Sequence, residues 1–215
     1  MRSTFRVAKE RFISKEAAEF EILCGPFKGV KVFAPLGNNQ QLRFGLYERE
    51  TYRYLRRAAR SARWCIDVGA GFGELSLFFS LRARTSPVYA IEPWSPGILA
   101  KQIAINDARD ITVIAEYLGT KVGQVRLDSL SVPETKGFVK IDVDGAELDV
   151  LSSGEALLRS LRPYLLIETH SQDLETHCIG FLASLGYNVS IIRNAWWRIF
   201  LSEQRTAHNR WLWAE

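Results

Sequence analysis

Three carboxylates, Asp142, Asp144 and Glu147, fall within six positions where the apolar run of FVKIDVDGAELDVL ends. Glu168 and His170 close a second apolar run, YLLIETH, and Asp67 and Glu74 bracket three glycines in CIDVGAGFGE. Such groups can take a proton from an acceptor. Asp142, the last polar group on its run, is the first candidate to orient or deprotonate one. His170 is the second, because a neutral imidazole accepts protons near pH 7. Asp142, Asp144, Glu147 and Glu168 also offer the oxygen ligands that a hard cation such as Mg2+ prefers. Asp144 and Glu147 have a structural reading as well, since acidic groups in the first turn of a helix cap free N–H groups and complement its dipole.

The glycines narrow the chemistry. Gly69, Gly71 and Gly73 stand where an apolar run gives way to a helical pattern beginning at Glu74, which lets the backbone turn tightly and lets a ligand lie against bare main chain. The next apolar run ends in Glu92, placed to accept hydrogen bonds from both hydroxyls of a ribose. A dinucleotide would bring a pyrophosphate to the loop, yet the spacing is GxGxG and Asp67 and Glu74 would repel it. S-adenosylmethionine brings a sulfonium and an ammonium instead. Opposite charges 4 Å apart attract by about 4 kcal/mol at an effective dielectric near 20, before desolvation, so the sign of the charge favours the methyl donor. Trp94 is a candidate to stack on the adenine and Glu116 to accept from its amino group, against the plainer roles of packing under the loop and of a solvated surface glutamate.

These residues need a frame that puts them on one rim. After residue 63 the chain alternates apolar runs with helical patterns: WCIDV, ELSLFFSLRA, VYAIE, SPGILAKQIAIND, ITVIA, FVKIDV, GAELDVLSSGEALLRSL, YLLIET and a helix near Leu174 to Leu185. Runs apolar on both faces and separated by helices predict a parallel, doubly wound sheet between helical layers. NVSIIR and WRIFLS, divided only by Asn194 and Ala195 or so, predict an antiparallel hairpin at the C-terminal end. In such sheets ligands sit at the carboxyl ends of the strands, beside the point where strand order reverses. Asp67, Glu92, Asp142 and Glu168 all fall at strand ends.

Residues 1–44 read as a small β-rich cap, from the alternation in FEILCGPFKGVKVF around Gly25-Pro26, and residues 45–215 as the main domain. Between them, Leu46 to Ala62 predicts an amphipathic helix with Thr51, Leu55, Ala58, Ala59 and Ala62 on one side and Arg49, Arg53, Arg56, Arg57 and Arg60 on another. The arginines suit phosphates, which admits an RNA or a phosphorylated metabolite as partner; a solvated helix face is the plain alternative. The 215 residues carry 28 Lys and Arg against 24 Asp and Glu, and residues 1–63 hold 14 of the former and only 6 of the latter. Three scattered cysteines, Cys24, Cys65 and Cys178, argue against a disulfide framework or a zinc site. With no signal-like opening and no long apolar stretch, the expectation is a soluble, cytoplasmic protein away from membranes. Trp196, Trp197, Trp211 and Trp213 are candidates for a substrate wall or a homodimer contact, or for the core under the last hairpin.

CIDVGAGFGE, YAIEP, KQIAIND, RLDSL, FVKIDVDGAELDVL, LLIETH and HNRWLW, in that order, resemble the FkbM-type methyltransferases over about residues 45 to 213. The most specific part is VKIDVDGAE, with Asp144 where the family usually has glutamate, together with the Glu-x-His formed by Glu168 and His170. Gly71 stands where the family often has asparagine. The resemblance implies an α/β, Rossmann-like class I methyltransferase fold and methyl transfer from S-adenosylmethionine, usually to a hydroxyl of a sugar or secondary metabolite. It also implies that Tyr47 and Glu48 in GLYERE line the acceptor pocket, with Asp144 on the acceptor side. The two other readings kept open are an RNA methyltransferase using the arginine helix and a non-catalytic module that binds S-adenosylmethionine.

Overall fold

The structure, a computed structural model, describes residues 16–83, 85–194 and 208–215. Two strands, β1 (Ala17–Glu21) and β2 (Lys31–Pro35), form an antiparallel pair in which Phe20 faces Val32, and both side chains are buried. Side-chain amides reach the edge of β2 from the main body. Gln102 accepts from Phe33 N (2.7 Å) and donates to Phe33 O (2.8 Å), while Asn106 does the same with Lys31 at 2.9 and 2.7 Å. An unpaired strand edge is thereby satisfied by a helix, which keeps it from recruiting another strand.

The second sheet has seven strands: β3 (Cys65–Val68), β4 (Val88–Ile91), β5 (Ile111–Ile114), β6 (Phe138–Ile141), β7 (Tyr164–Thr169), β8 (Val189–Ile192) and β9 (Arg210–Ala214). Their order is β5-β4-β3-β6-β7-β9-β8, with β3 to β7 parallel and β9 antiparallel to both its neighbours. Helices α1 (Gln40–Arg43) and α2 (Tyr52–Ala59) precede β3. Helices α3 (Glu74–Leu81), α4 (Pro96–Ile105), α5 (Glu147–Ser152), α6 (Glu155–Leu161) and α7 (Gln172–Ser184) join the later strands. The chain leaves β3 toward β4 and β5 on one side and returns to β6 on the other, so the reversal of strand order lies between β3 and β6. This is the α/β, mostly parallel Rossmann-like architecture expected from the alternating pattern.

Each face of the sheet owns one core. Along β6, Phe138 belongs to the cluster that contains Leu77 and Phe79 of α3, and Val139 and Ile141 to the cluster with Leu151, Leu158, Cys178 and Leu182. Phe79 and Phe138 stack with centroids 4.7 Å apart. By the same alternation Lys140 shares the face of Phe138, which puts a charge into an otherwise apolar layer. Trp211 and Trp213 of β9 are buried, and Trp213 stacks on Tyr164 at 5.2 Å, so Trp213 is core, while Trp211 also borders the cavity described below. The antiparallel C-terminal pair is present, with Arg210–Ala214 as the partner of β8. The WRIFLS segment, Trp196 and Trp197 lie outside the described residues.

Two helices differ from their predicted extents. The helix predicted from Leu46 begins only at Tyr52, after a 3-10 turn over Arg49–Thr51, because Glu48 adopts a left-handed conformation (φ 49°) that no right-handed helix can contain. Its faces are as predicted: Leu55 and Ala58 are buried, while Arg53, Arg56, Arg57 and Arg60 are exposed. GAELDVLSSGEALLRSL forms two helices instead of one. The break admits Leu127, whose N–H donates to Ser153 Oγ at 3.1 Å and whose Cγ and Cδ2 would lie 2.8 and 2.4 Å from a Cβ at Gly154.

Candidate active site

The site is built on the register of β3 and β6, where Asp67 stands opposite Lys140. Both are buried, and the Lys140 ammonium sits 3.6 Å from Asp67 Oδ1 and 3.1 Å from Asp142 Oδ2 while donating to Gly69 O at 2.8 Å. One lysine thus joins the end of β3, the glycine loop and the end of β6. Burial pulls its pKa down, but Asp142 and Asp67 outweigh burial and raise it, so the ammonium stays charged. Asp67 is pushed up by burial, against the pull of Lys140 and of the Ser76 hydroxyl, which donates to its Oδ2 at 2.6 Å. Sequence reading gave Lys140 no role. The available signal was a lone lysine inside FVKI, a run otherwise apolar on both faces.

The glycine loop follows. Gly69, Gly71 and Gly73 all have positive φ, at 77, 54 and 77°. A Cβ on Gly69 would come within 1.9 Å of the Asp142 carbonyl oxygen, and one on Gly73 within 2.4 Å of Leu99 Cδ1, whereas a Cβ on Gly71 would meet nothing within 4 Å. The outer glycines are required by packing; the middle one opens onto free space, where a ligand can approach the main chain. A cavity of about 300 Å3 lies there, lined by Gly69, Gly71, Asp67, Glu74, Lys140 and Asp142 together with Tyr47, Glu48, Leu166 and Trp211. Glu74, in the first turn of α3, has a buried Oε2 without a hydrogen-bond partner, and burial pushes its pKa up to about 7. Asp67 Oδ1 is buried with the Lys140 ammonium at 3.6 Å and no closer hydrogen bond. A buried Glu74 oxygen without a partner beside an open cavity suits a cationic ligand such as the ammonium of S-adenosylmethionine.

The rim continues along β4 and β5. Glu92 is 6% exposed, and its carboxylate accepts from Gly71 N at 2.9 Å, Trp94 N at 2.9 Å and Ser95 N at 3.0 Å. Those bonds pin the glycine loop to the β4 turn and leave further lone-pair capacity, since a carboxylate has about four acceptor sites. Trp94 is 83% exposed, with Tyr117 edge-on at 6.2 Å, so it does not pack under the loop. Glu116 is exposed just beyond β5, and Asp144 is exposed at the turn after β6. Neither lines the cavity described above.

At the β6 and β7 ends, His170 links the remaining acidic groups. Its Nδ1 lies 2.5 Å from Oε1 of the fully buried Glu147, and its Nε2 lies 3.7 Å from Asp142 Oδ1 and 3.9 Å from Glu168 Oε2. The hydrogen bond to Glu147 raises the His170 pKa above its ordinary value, against partial burial. Asp142 goes the other way: burial pushes it up, but Lys140 and hydrogen bonds with Glu168 and Lys140 hold it below the usual range. Glu147, weighed in the sequence as a helix cap or a cation ligand, is the partner that fixes the histidine. The oxygen set expected for Mg2+ is therefore not assembled. Among the described residues, Asp142, Glu168 and His170 are the groups whose ligand atoms converge, within 4.8 Å. Lys140 already occupies Asp142 Oδ2, and a mixed nitrogen and oxygen set is not what Mg2+ prefers, so the residues present do not fit that ion.

Residues 114–189 match the methyltransferase FkbM domain. No curated protein matches the chain in sequence. Among solved structures, precorrin-6y C5,15-methyltransferase from Geobacter metallireducens GS-15 is similar with a TM-score of 0.55 at 17% identity, covering 80% of this chain and 86% of that one. Methyltransferase FkbM from Methylobacillus flagellatus KT gives 0.55 at 19% identity, covering 72% of this chain and 44% of that one. M. jannaschii TYW2, solved in complex with AdoMet, gives 0.52 at 12% identity, covering 94% and 85%. The chain spans less than half of that FkbM structure, and at these identities the shared property is the fold. No helix among the described residues is long and apolar enough to cross a membrane. The domain match runs through VKIDVDGAE and the Glu168-x-His170 pair, and the fold around it is the one shared with these solved methyltransferases.

Proposed function

We propose that the protein methylates a hydroxyl oxygen of a small molecule or sugar, with His170 as the general base. The observation that carries this reading is the Glu147–His170 pair beside Asp142 at the strand ends. S-adenosylmethionine supplies a methyl group on a sulfonium, and the acceptor oxygen forms the new C–O bond as the C–S bond breaks, its electron pair going to sulfur. A hydroxyl must shed its proton in that process. With Nδ1–H donated to Glu147, the neutral His170 presents Nε2 as the acceptor of that proton, and the imidazolium that forms is stabilised by Glu147.

Asp142 is better suited to orienting than to proton transfer, because a carboxylate held below its usual pKa is a weak base. Its Oδ1 faces His170 and its Oδ2 is tied to Lys140, a geometry that fixes an acceptor hydroxyl between carboxylate and imidazole. The glycine loop, Asp67 and Glu74 hold the cationic end of the methyl donor, and Glu92, Trp94 and Glu116 lie along the rim where its adenosine extends. Tyr47, Glu48 and Asp144 are assigned to the acceptor side, Tyr47 and Glu48 from the cavity wall. In-line displacement gains most from such alignment.

The test is S-adenosylhomocysteine formation over a panel of sugar and polyketide-like hydroxyl compounds, read by mass spectrometry of the products. His170→Ala should abolish turnover with the donor still bound. Methylation found only on nitrogen or on RNA, or turnover surviving in His170→Ala, would overturn the assignment.

A further inference from the structure

A second cavity, of about 550 Å3, shares the turn that walls the first. Glu48, Thr51 and Leu55 line the methyl-transfer cavity, while Arg49, Tyr52, Arg53 and Arg56 line the second. Spacings of four and three put the three arginines on one side of the segment. Cys24, Gly25, Phe44 and Gly45 complete the wall, and Glu50 is its one acidic member. That wall is built rather than loose. Leu23 N donates to Arg43 O at 2.7 Å, and the backbones approach so closely that a Cβ on Gly45 would lie 2.5 Å from the Cys24 carbonyl oxygen.

Tyr52 lines the same cavity. It is 4% exposed, and its hydroxyl has no hydrogen-bond partner. A buried donor left unmade costs free energy, and a ligand acceptor would recover it. The arginines are not a continuous stripe. Arg57 turns away to Glu215, at 2.5 Å, and to the ring of Tyr164, whereas Arg53 lies over Tyr54 at 4.4 Å and stays exposed beside the cavity with Arg56. Guanidinium groups bordering one cavity suit the planar, bidentate geometry of phosphate oxygens. The volume is in the range of small-molecule sites, while a single-stranded nucleic acid would call for a longer basic groove with stacking aromatics.

We propose that this cavity binds a phosphate-bearing small molecule through Arg49, Arg53, Arg56 and the Tyr52 hydroxyl. The site is independent of the assignment of His170, and its failure is separable from the failure of that reading, because the variants below leave the catalytic groups intact.

Pyrophosphate is the probe, titrated calorimetrically into the full chain with S-adenosylhomocysteine saturating the first cavity. Saturable one-to-one binding is expected, weakened by about tenfold or more in Arg53→Gln/Arg56→Gln and several-fold in Tyr52→Phe, and unchanged in Arg60→Gln. Thermal unfolding of each variant establishes that it is folded. Binding that is absent, that falls equally in Arg60→Gln, or that a short RNA oligonucleotide outcompetes with a steep salt dependence would overturn the proposal.

Discussion

His170 Nδ1 lies 2.5 Å from Glu147 Oε1, a carboxylate with no exposed surface in the first turn of α5. The pair fixes which ring nitrogen carries the proton and makes Nε2 more basic, since the Glu147 hydrogen bond raises the His170 pKa against burial. Glu147→Gln preserves shape and removes the charge. The pH at which kcat rises should then move down toward the ordinary histidine range, and the plateau rate should fall by roughly tenfold or more, part of the ~10^2 to 10^4 that positioned proton transfer contributes. A pH profile that does not move would contradict the assignment.

The same interaction predicts how stability depends on pH. The folded-state pKa of His170 stands above its unfolded value, so the pair's contribution is complete below that unfolded value, near 6.5, and is lost as pH rises through the raised folded value. Chemical denaturation of the wild type should show a loss of stability across that window, and Glu147→Gln should flatten it.

Gly69 and Gly71 both have positive φ but different surroundings. Alanine at Gly69 would drive a methyl group to 1.9 Å from the Asp142 carbonyl, which only movement of β3 against β6 can relieve. The expected outcome for Gly69→Ala is destabilisation by about 3 kcal/mol or more, with loss of donor binding. Gly71→Ala meets open space, so its cost is the ~1 to 2 kcal/mol of a left-handed non-glycine residue, and its larger effect should fall on ligand affinity. Denaturation midpoints and calorimetric affinities of the two variants separate these outcomes.

Periodicity carried most of the fold. β3 and β6 are buried along their whole length and read as apolar runs with a carboxylate at or just past each end. Contacts set by distant segments were less legible. A helix pattern from Leu46 does not reveal that Glu48 turns left-handed, and Ser153-Gly154 is an ordinary pair until Leu127 packs into it. Glu147 and a helix cap look alike in sequence because both place an acid in a first turn; only the β7 turn brings the imidazole to it. The role of Lys140 depends on register, with Asp67 opposite it on β3 and Asp142 two residues on along the same face, and register is not written in FVKI itself.

Lys140 makes the next prediction. Lys140→Met keeps length and apolar character but leaves Asp67 and Asp142 without the ammonium at 3.6 and 3.1 Å, and Gly69 O without its donor. Breaking one side of a buried ion pair costs about 3 to 5 kcal/mol, which corresponds to a fall in Tm on the order of 10 °C for a chain of this size. Adding Asp67→Asn should recover part of the loss, because it removes a stranded charge. Equal Tm values for wild type and Lys140→Met would show that the lysine does not brace the loop.

Trp94 separates binding from folding. With 83% of its surface exposed and only the edge-on contact with Tyr117 at 6.2 Å, the side chain supports little of the core. Stacking of a base on an aromatic ring is worth about 1 to 3 kcal/mol by alanine substitution. Trp94→Ala should therefore weaken S-adenosylhomocysteine binding by roughly tenfold to a hundredfold and leave Tm within about 1 °C, while Trp94→Phe should retain most of the affinity. Calorimetry on the three proteins decides the matter: an affinity that is the same in all of them would move the adenine away from the β4 turn and detach Glu116 from the site as well.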